Sequence, residues 1–206
     1  MSRTRTPRKL YPKLIDFCER LVPGCTPAWV PVLPVQGGQQ SFCFPLVGAQ
    51  VKQNGGESVT GWQVWEWPGV YLEAEYHAVW RNPEGALVDL TPKDVPTKKI
   101  LFLADPSRPY DGRRRRNEMS PLADHEAIRD FIDACNEEAD IKNRGDRALL
   151  DKFTLNFQET LRMEELTELM GQAILWIDRF AGQPGKTSPC WCGSGRAYKS
   201  CHLGQQ

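Results

Sequence analysis

The spacing of apolar residues changes about halfway along the chain. In "GWQVWEW", beginning at Gly61, and "VYLEAEYHAVW", ending at Trp80, apolar and polar positions alternate, which predicts two strands with Pro68 and Gly69 as the turn between them. "RNPEG" predicts a further tight turn, "ALVDLTP" a third strand and "KKILFLAD" a fourth. The four read as a meandering antiparallel sheet with one buried face. Ahead of them, "QGGQQSFCFPLVGAQVKQNGG" predicts a Gly-rich loop leading into a short helix that ends near Asn54 and Gly55, with Cys43 near its start.

From Ser120 the period becomes helical. Ser120 and Pro121 form a helix-start pair, and Ile128, Phe131, Ile132, Cys135 and Ala139 then recur as one apolar stripe, which makes Cys135 a small core residue. After "NRG", Leu149, Leu150, Phe153 and Phe157 predict a second helical stretch, which Leu161, Leu166, Leu169, Met170, Ala173, Ile174, Ile177 and Phe180 continue. The expected class is α+β: an antiparallel sheet with an N-terminal helix packed on it, a helical second lobe and a small C-terminal motif. The corresponding divisions are 1–112, 113–182 and 183–206.

Charge and composition narrow the function. The 206 residues carry a formal net charge of zero, which disfavours whole-molecule attraction to nucleic acid. Between Pro121 and Gly182, fourteen acids face seven bases, so the rest of the chain is basic by the same surplus. The run Arg113 to Arg116 reads first as a solvated loop and second as a handle for phosphate or an acidic partner. No run is long and apolar enough to span a bilayer, and the basic start "MSRTRTPRK" lacks the apolar stretch of a signal peptide. The expectation is a cytoplasmic protein in which Cys18, Cys25, Cys43 and Cys135 are reduced thiols. Alternation puts Trp65 and Trp67 on one face of their strand and Trp62 on the other, so the aromatic cluster cannot enter a single core.

The tail "SPCWCGSGRAYKSCHLG" carries Cys190, Cys192, Cys201 and His202 on two short turns. Four such ligands suit tetrahedral zinc, and a segment this short needs metal to supply its folding free energy. The competing reading of these residues is a disulfide between Cys190 and Cys201. The segment resembles the SEC-C motif, the zinc-binding tail of the protein-export motor SecA, through Pro189, Cys190, Cys192, Gly193, Ser194, Gly195, Tyr198, Lys199, Cys201 and His202. Trp191 departs from the usual proline. The resemblance implies a structural zinc on the two early cysteines, the late cysteine and the histidine, and a tail that recruits protein partners without doing chemistry.

Cys43, His77 and Asp89 are the other candidates for chemistry. A thiol at a helix start, a histidine on a facing strand and an acid on the next strand can act as nucleophile, base and orienting group. This order resembles that of transglutaminase-like and papain-like cysteine hydrolases, with "HAVW" at His77 and "LVDLTP" around Asp89 similar to the His and Asp strands of the transglutaminase core. The resemblance covers roughly residues 36 to 92 and departs in its short hairpin between His77 and Asp89. It implies cleavage or transfer at an amide or isopeptide bond, with Gln36, Gln39 or Gln40 as an oxyanion donor. The blander reading makes Cys43 a core residue between two phenylalanines, His77 a packed histidine and Asp89 a turn cap. On that reading the protein is a non-catalytic adaptor that binds a protein or peptide through its aromatic face and zinc tail. His125 reads as a surface residue in a first helical turn.

Overall fold

The computed structural model describes residues 3–94, 96–181, 187 and 195–201. Two compact units divide the chain, Met1–Glu66 with Glu73–Asp111, and Trp67–Leu72 with Gly112–Gln206.

The first unit is built on a sheet whose order differs from a simple meander. Strands β1 (Ala28–Pro31), β2 (Glu57–Trp67), β3 (Tyr71–Arg81), β4 (Leu87–Val88) and β5 (Lys99–Ala104) lie in the order β1-β5-β2-β3-β4, and β6 (Glu118–Pro121) pairs with β3 off this path. The expected fourth strand, β5, therefore returns to the far side of β2, where Gly61 faces Ala104 and Val64 faces Leu101. Its other edge takes β1, a strand hidden in the sequence by Pro27, Pro31 and Pro34. Proline is tolerated there because Pro27 and Pro34 lie outside β1, and Pro31, its last residue, joins the pairing as an acceptor, its carbonyl receiving Asp89 N–H.

The expected strand over "ALVDLTP" is cut to two residues for a related reason. Trp80 still faces Val88, but at Asp89 the backbone leaves β3 and bridges Val32 in parallel. Asp89 N–H donates to the Pro31 carbonyl at 2.9 Å, Leu33 N–H donates back to the Asp89 carbonyl at 2.9 Å, and Val35 N–H donates to Leu90 at 3.0 Å. This seam brings the two ends of the sheet together into a nearly closed barrel. Val30, Val32, Val79, Ile100 and Phe102 form one apolar cluster, packed with Val59, Leu87 and Ala104. Gly61 is required by the close pairing: a Cβ there would stand 2.2 Å from the Leu103 carbonyl oxygen.

Helix α1 (Pro12–Leu21) starts on a proline and buries Leu14, Phe17 and Cys18, spaced for one face. Helix α2 (Cys43–Asn54) ends where predicted, because Gly55 adopts φ 72° and its N–H caps the Val51 carbonyl. Cys43 and Val47 pack on Ala78, Val88 and Leu90, with Phe44, Val51 and Trp80 at the margin. The end of α2 is also held by Trp80, whose indole N–H donates to the Gly55 carbonyl at 2.9 Å.

The second unit contains α3 (Glu126–Lys142), a 3-10 turn (Gly145–Leu149), α4 (Phe157–Ala181) and α5 (Tyr198–Cys201). Ser120 and Pro121 do not start the helix as expected. They belong to β6, and α3 begins under His125, which is half-buried and caps it by accepting from Ala127 N–H at 3.2 Å. Its stripe is otherwise as read: Ile128, Phe131 and Ile132 join Trp67, Val70, Tyr71, Ala173 and Ile177 in one core, with Cys135 and Met170 against it. The second helical stretch starts later than expected, at Phe157, because Asn156 and Glu159 form a reciprocal cap: Glu159 N–H donates to Asn156 Oδ1 at 2.9 Å and Asn156 N–H to Glu159 Oε2 at 3.1 Å. Leu149 and Leu150 are exposed on the 3-10 turn and just after it, and Leu161 and Leu169 face outward on α4.

The arginine run lies at the surface of this unit, as the solvated-loop reading expects, and braces it there. Arg114 donates to Asn143 Oδ1 at 2.9 Å and to the carbonyls of Lys142 and Arg147, at the C-terminal end of α3 where the helix dipole is negative. Arg113 donates to the Gly145 carbonyl and Arg116 pairs with Asp140.

Candidate active site

The first unit brings Cys43, His77 and Asp89 together. The turn at Asn82 to Gly85, closed by Gly85 N–H on the Asn82 carbonyl and Ala86 N–H on Asn82 Oδ1, folds β4 back along β3 and carries Asp89 to His77. His77 Nε2 lies 3.0 Å from Asp89 Oδ1, and the Cys43 thiol is near enough to the same imidazole to shift its titration. With Nε2 on the carboxylate, a neutral imidazole keeps its other nitrogen as an acceptor, whereas an imidazolium makes both nitrogens donors. His77 is 3% exposed and Asp89 0%, so water does not dilute the contact.

Electrostatics favour an imidazolium. Burial alone would push His77 down, but the hydrogen bond to Asp89 and the Cys43 thiol beside the ring outweigh it and raise the imidazole to about 9. Burial pushes Asp89 the other way, and His77 and Lys93 together overcome it and hold the carboxyl at about 2.

Two further side chains complete this arrangement, and sequence reasoning missed both. Lys93 Nζ stands 2.6 Å from Asp89 Oδ2, with its side chain only 8% exposed. The same ammonium donates to Gln63 Oε1 at 2.8 Å, from a fully buried glutamine on β2. Neither had a signal in the sequence: a lysine after a Thr-Pro turn reads as exposed, and a lone glutamine in a Trp-rich strand reads as facing solvent. The turn-cap reading of Asp89 also holds, because Oδ1 accepts from Thr91 N–H at 3.0 Å. One carboxylate thus caps its loop, ion-pairs Lys93 and meets His77.

A cavity of about 160 Å³ opens beside His77, lined among others by Gln40, Ser41, Trp65, Glu75, Thr91 and Lys93. Trp65 is half-buried and fixed by its indole N–H on Glu75 Oε2 at 2.8 Å. The other tryptophans of the cluster are placed elsewhere. Trp62 packs edge-on to Tyr76 and donates to Asp105, while Trp67 stands edge-on to Tyr71 and Phe131 in the second unit. Of the three candidate glutamines, Gln40 lines the cavity, next to Ser41, which holds a left-handed φ of 61°. Such a conformation costs a non-glycine residue on the order of 1 kcal/mol or more. Phe42 offers no side-chain cap to α2, and Pro45 in the first turn has no N–H. Cys43 itself is buried and does not line this cavity.

Cys190, Cys192 and His202 lie outside the described residues. Cys201 is described: it is buried at the end of α5, with its N–H on the Ala197 carbonyl at 3.1 Å, and Gly195 takes a left-handed φ of 70°. A buried thiol at the end of α5 suits a soft-metal ligand. Among the described residues, no three His, Cys, Asp or Glu side chains gather at a metal-binding distance.

Comparison with protein families decides the nature of the tail. Residues 187–204 carry a SEC-C motif. The match leaves the barrel and the two long helices outside it, and comparison with curated proteins and with solved structures gave no match. The SEC-C motif is of a zinc-binding type. Among the described residues, no helix is long and apolar enough to cross a membrane.

Proposed function

We propose that the barrel unit is a thiol-dependent hydrolase or transferase acting on an amide or isopeptide bond, and that the SEC-C tail holds a structural zinc and recruits a protein partner. One observation supports the first part above the others: a buried imidazole hydrogen-bonded to a buried carboxylate, with a thiol beside the imidazole. In this reading the Cys43 proton rests on His77, and the sulfur attacks the substrate carbonyl carbon as a thiolate paired with that imidazolium. The imidazolium then gives that proton to the departing amine, leaving a thioester on Cys43. A water or a second amine, deprotonated by His77, attacks the thioester and returns the thiol. Asp89 keeps Nε2 protonated and the ring in register throughout. The start of α2, without a side-chain cap, offers backbone N–H groups to the developing oxyanion, with Gln40 as the side-chain donor at the cavity.

In the tail, Cys190, Cys192, Cys201 and His202 would hold the zinc. The ion supplies folding free energy there and no chemistry. Reduced thiols at all of these positions fit a reducing compartment such as the cytoplasm.

A second reading has its own support. Cys43 is buried in an apolar cluster, as a structural thiol would be, and this favours an adaptor that keeps the fold without the reaction. Iodoacetamide labelling of the native protein, read by mass spectrometry, separates the two. The hydrolase reading expects Cys43 to react at least about tenfold faster than Cys25, with the difference abolished by His77→Ala. Cys18, buried and pushed up to about 11 by that burial, provides the slow reference. Labelling of Cys43 as slow as that of Cys18, and indifferent to His77→Ala, would leave the adaptor.

A further inference from the structure

Lys93 occupies a position that the hydrolase reading does not use. A lysine side chain loses hydration when buried, and it remains charged in such a place only where partners replace the water. Here the partners are Asp89 Oδ2 at 2.6 Å and Gln63 Oε1 at 2.8 Å. Asp89 is thus shared between two cationic groups, His77 on Oδ1 and Lys93 on Oδ2. The two compete for one negative charge. A carboxylate bound by His77 alone would hold the imidazolium more tightly and release its proton to a leaving amine less readily.

We propose that Lys93, anchored by Gln63, is a positioning residue that fixes Asp89 through Oδ2 and limits how strongly that carboxylate binds the His77 imidazolium. The inference rests on the hydrolase reading for its catalytic meaning, although the electrostatic effect can be measured without it. Among the described residues, few groups face His77. Cys43 comes from α2, Asp89 and Lys93 from the segment after β4, Glu75 from the same strand two residues away, and Asp94 lines the same cavity. From β5, Phe102 stands edge-on to the ring and contributes no charge. Among these, Lys93 supplies positive charge to Asp89 and the others besides His77 are acids or a thiol.

The test is a titration of His77 by NMR on histidine-labelled full-length protein, together with the pH profile of Cys43 alkylation. Wild type, Lys93→Met, Lys93→Arg and Gln63→Leu are compared. Lys93→Met should move the His77 midpoint upward by about one unit, since one nearby cation is removed. Lys93→Arg, which keeps the charge, should restore the wild-type midpoint. Gln63→Leu, which removes only the anchor, should give a smaller upward shift. An unmoved or lowered midpoint in Lys93→Met would overturn the proposal. If Lys93→Met does not fold, Gln63→Leu decides, and a wild-type midpoint there overturns it equally. The alkylation arm keeps the two ideas apart. Slow, His77-independent labelling of wild-type Cys43 counts against the hydrolase, whereas the NMR midpoints count for or against Lys93.

Discussion

Replacing Asp89 with asparagine should remove most of the pH dependence of stability that the barrel unit shows between about pH 6 and pH 10. The asparagine can still accept from Nε2–H of a neutral imidazole but cannot stabilise an imidazolium. In the wild type His77 is raised from 6.5 to about 9. At about 1.4 kcal/mol per unit, that displacement is worth on the order of 3 kcal/mol. From the other side of the same contact, Asp89 falls from 3.8 to about 2, on the order of 2 kcal/mol, because burial works against the charge. The interaction is counted once, at no more than about 2–3 kcal/mol, because Cys43 shares in the His77 shift and Lys93 in that of Asp89. Its sign follows from the raised group: the stabilisation is complete below the unfolded value of 6.5 and is lost as pH rises through about 9. The carboxylate contribution is present above the unfolded value of 3.8 and disappears as pH falls toward about 2. Urea unfolding at about pH 6, 7.5 and 9.5 reads the difference directly. Wild type should lose up to about 2–3 kcal/mol more than Asp89→Asn across that range. Parallel curves, with the same loss in both proteins, would show that the His77–Asp89 pair does not carry the charge assigned to it.

Three other outcomes follow from the structure. Gly61→Ala should cost at least about 3 kcal/mol or prevent soluble expression, because the new Cβ meets the Leu103 carbonyl at 2.2 Å on a paired strand; a thermal midpoint within a few degrees of wild type would contradict the tight pairing. Asn156→Ala should cost about 1 kcal/mol through loss of the α4 cap, seen as a lower urea midpoint with an unchanged slope. Metal analysis should find one zinc per chain, lost when Cys190 and Cys201 are both serine while the circular dichroism of the two units is kept; a zinc-free purified protein would count against the ligand set.

Where the sequence was legible, local rules were enough. Alternation gave β2 and β3, the Pro68–Gly69 turn joined them, and Gly55 stopped α2. The same local rules underlie the juxtaposition of His77 with Asp89, since a short turn between them leaves little freedom. What could not be read depends on partners far away in the chain. Three prolines concealed β1, whose pairing becomes visible only when β5 is seen beside it. Ser120 and Pro121 satisfied the rules for a helix start, but backbone pairing won: both lie in β6, and the next residue, Leu122, donates its N–H to the Val70 carbonyl at 2.8 Å. The arginine run is solvated as its charge suggests, but no sequence pattern reveals which helix end it will cap. Lys93 and Gln63 were invisible for a similar reason, as their burial is a property of Asp89 and of the barrel around it.

The parallel bridge between Val32 and Asp89 also bears on the order of folding. It joins residues far apart in sequence, and the loop it closes contains α2 and the whole β2–β3 hairpin. Local hairpins and helices form in microseconds, whereas contacts of this separation must first meet the entropy of closing a long loop. Asp89 is therefore expected to reach its final register among the last events of folding, after Cys43 and His77 already stand on formed elements. In a refolding time course, a thiol reaction sensitive to His77 would lag behind the recovery of backbone signal. That delay would report closure of the seam, a step for which circular dichroism has no separate signature.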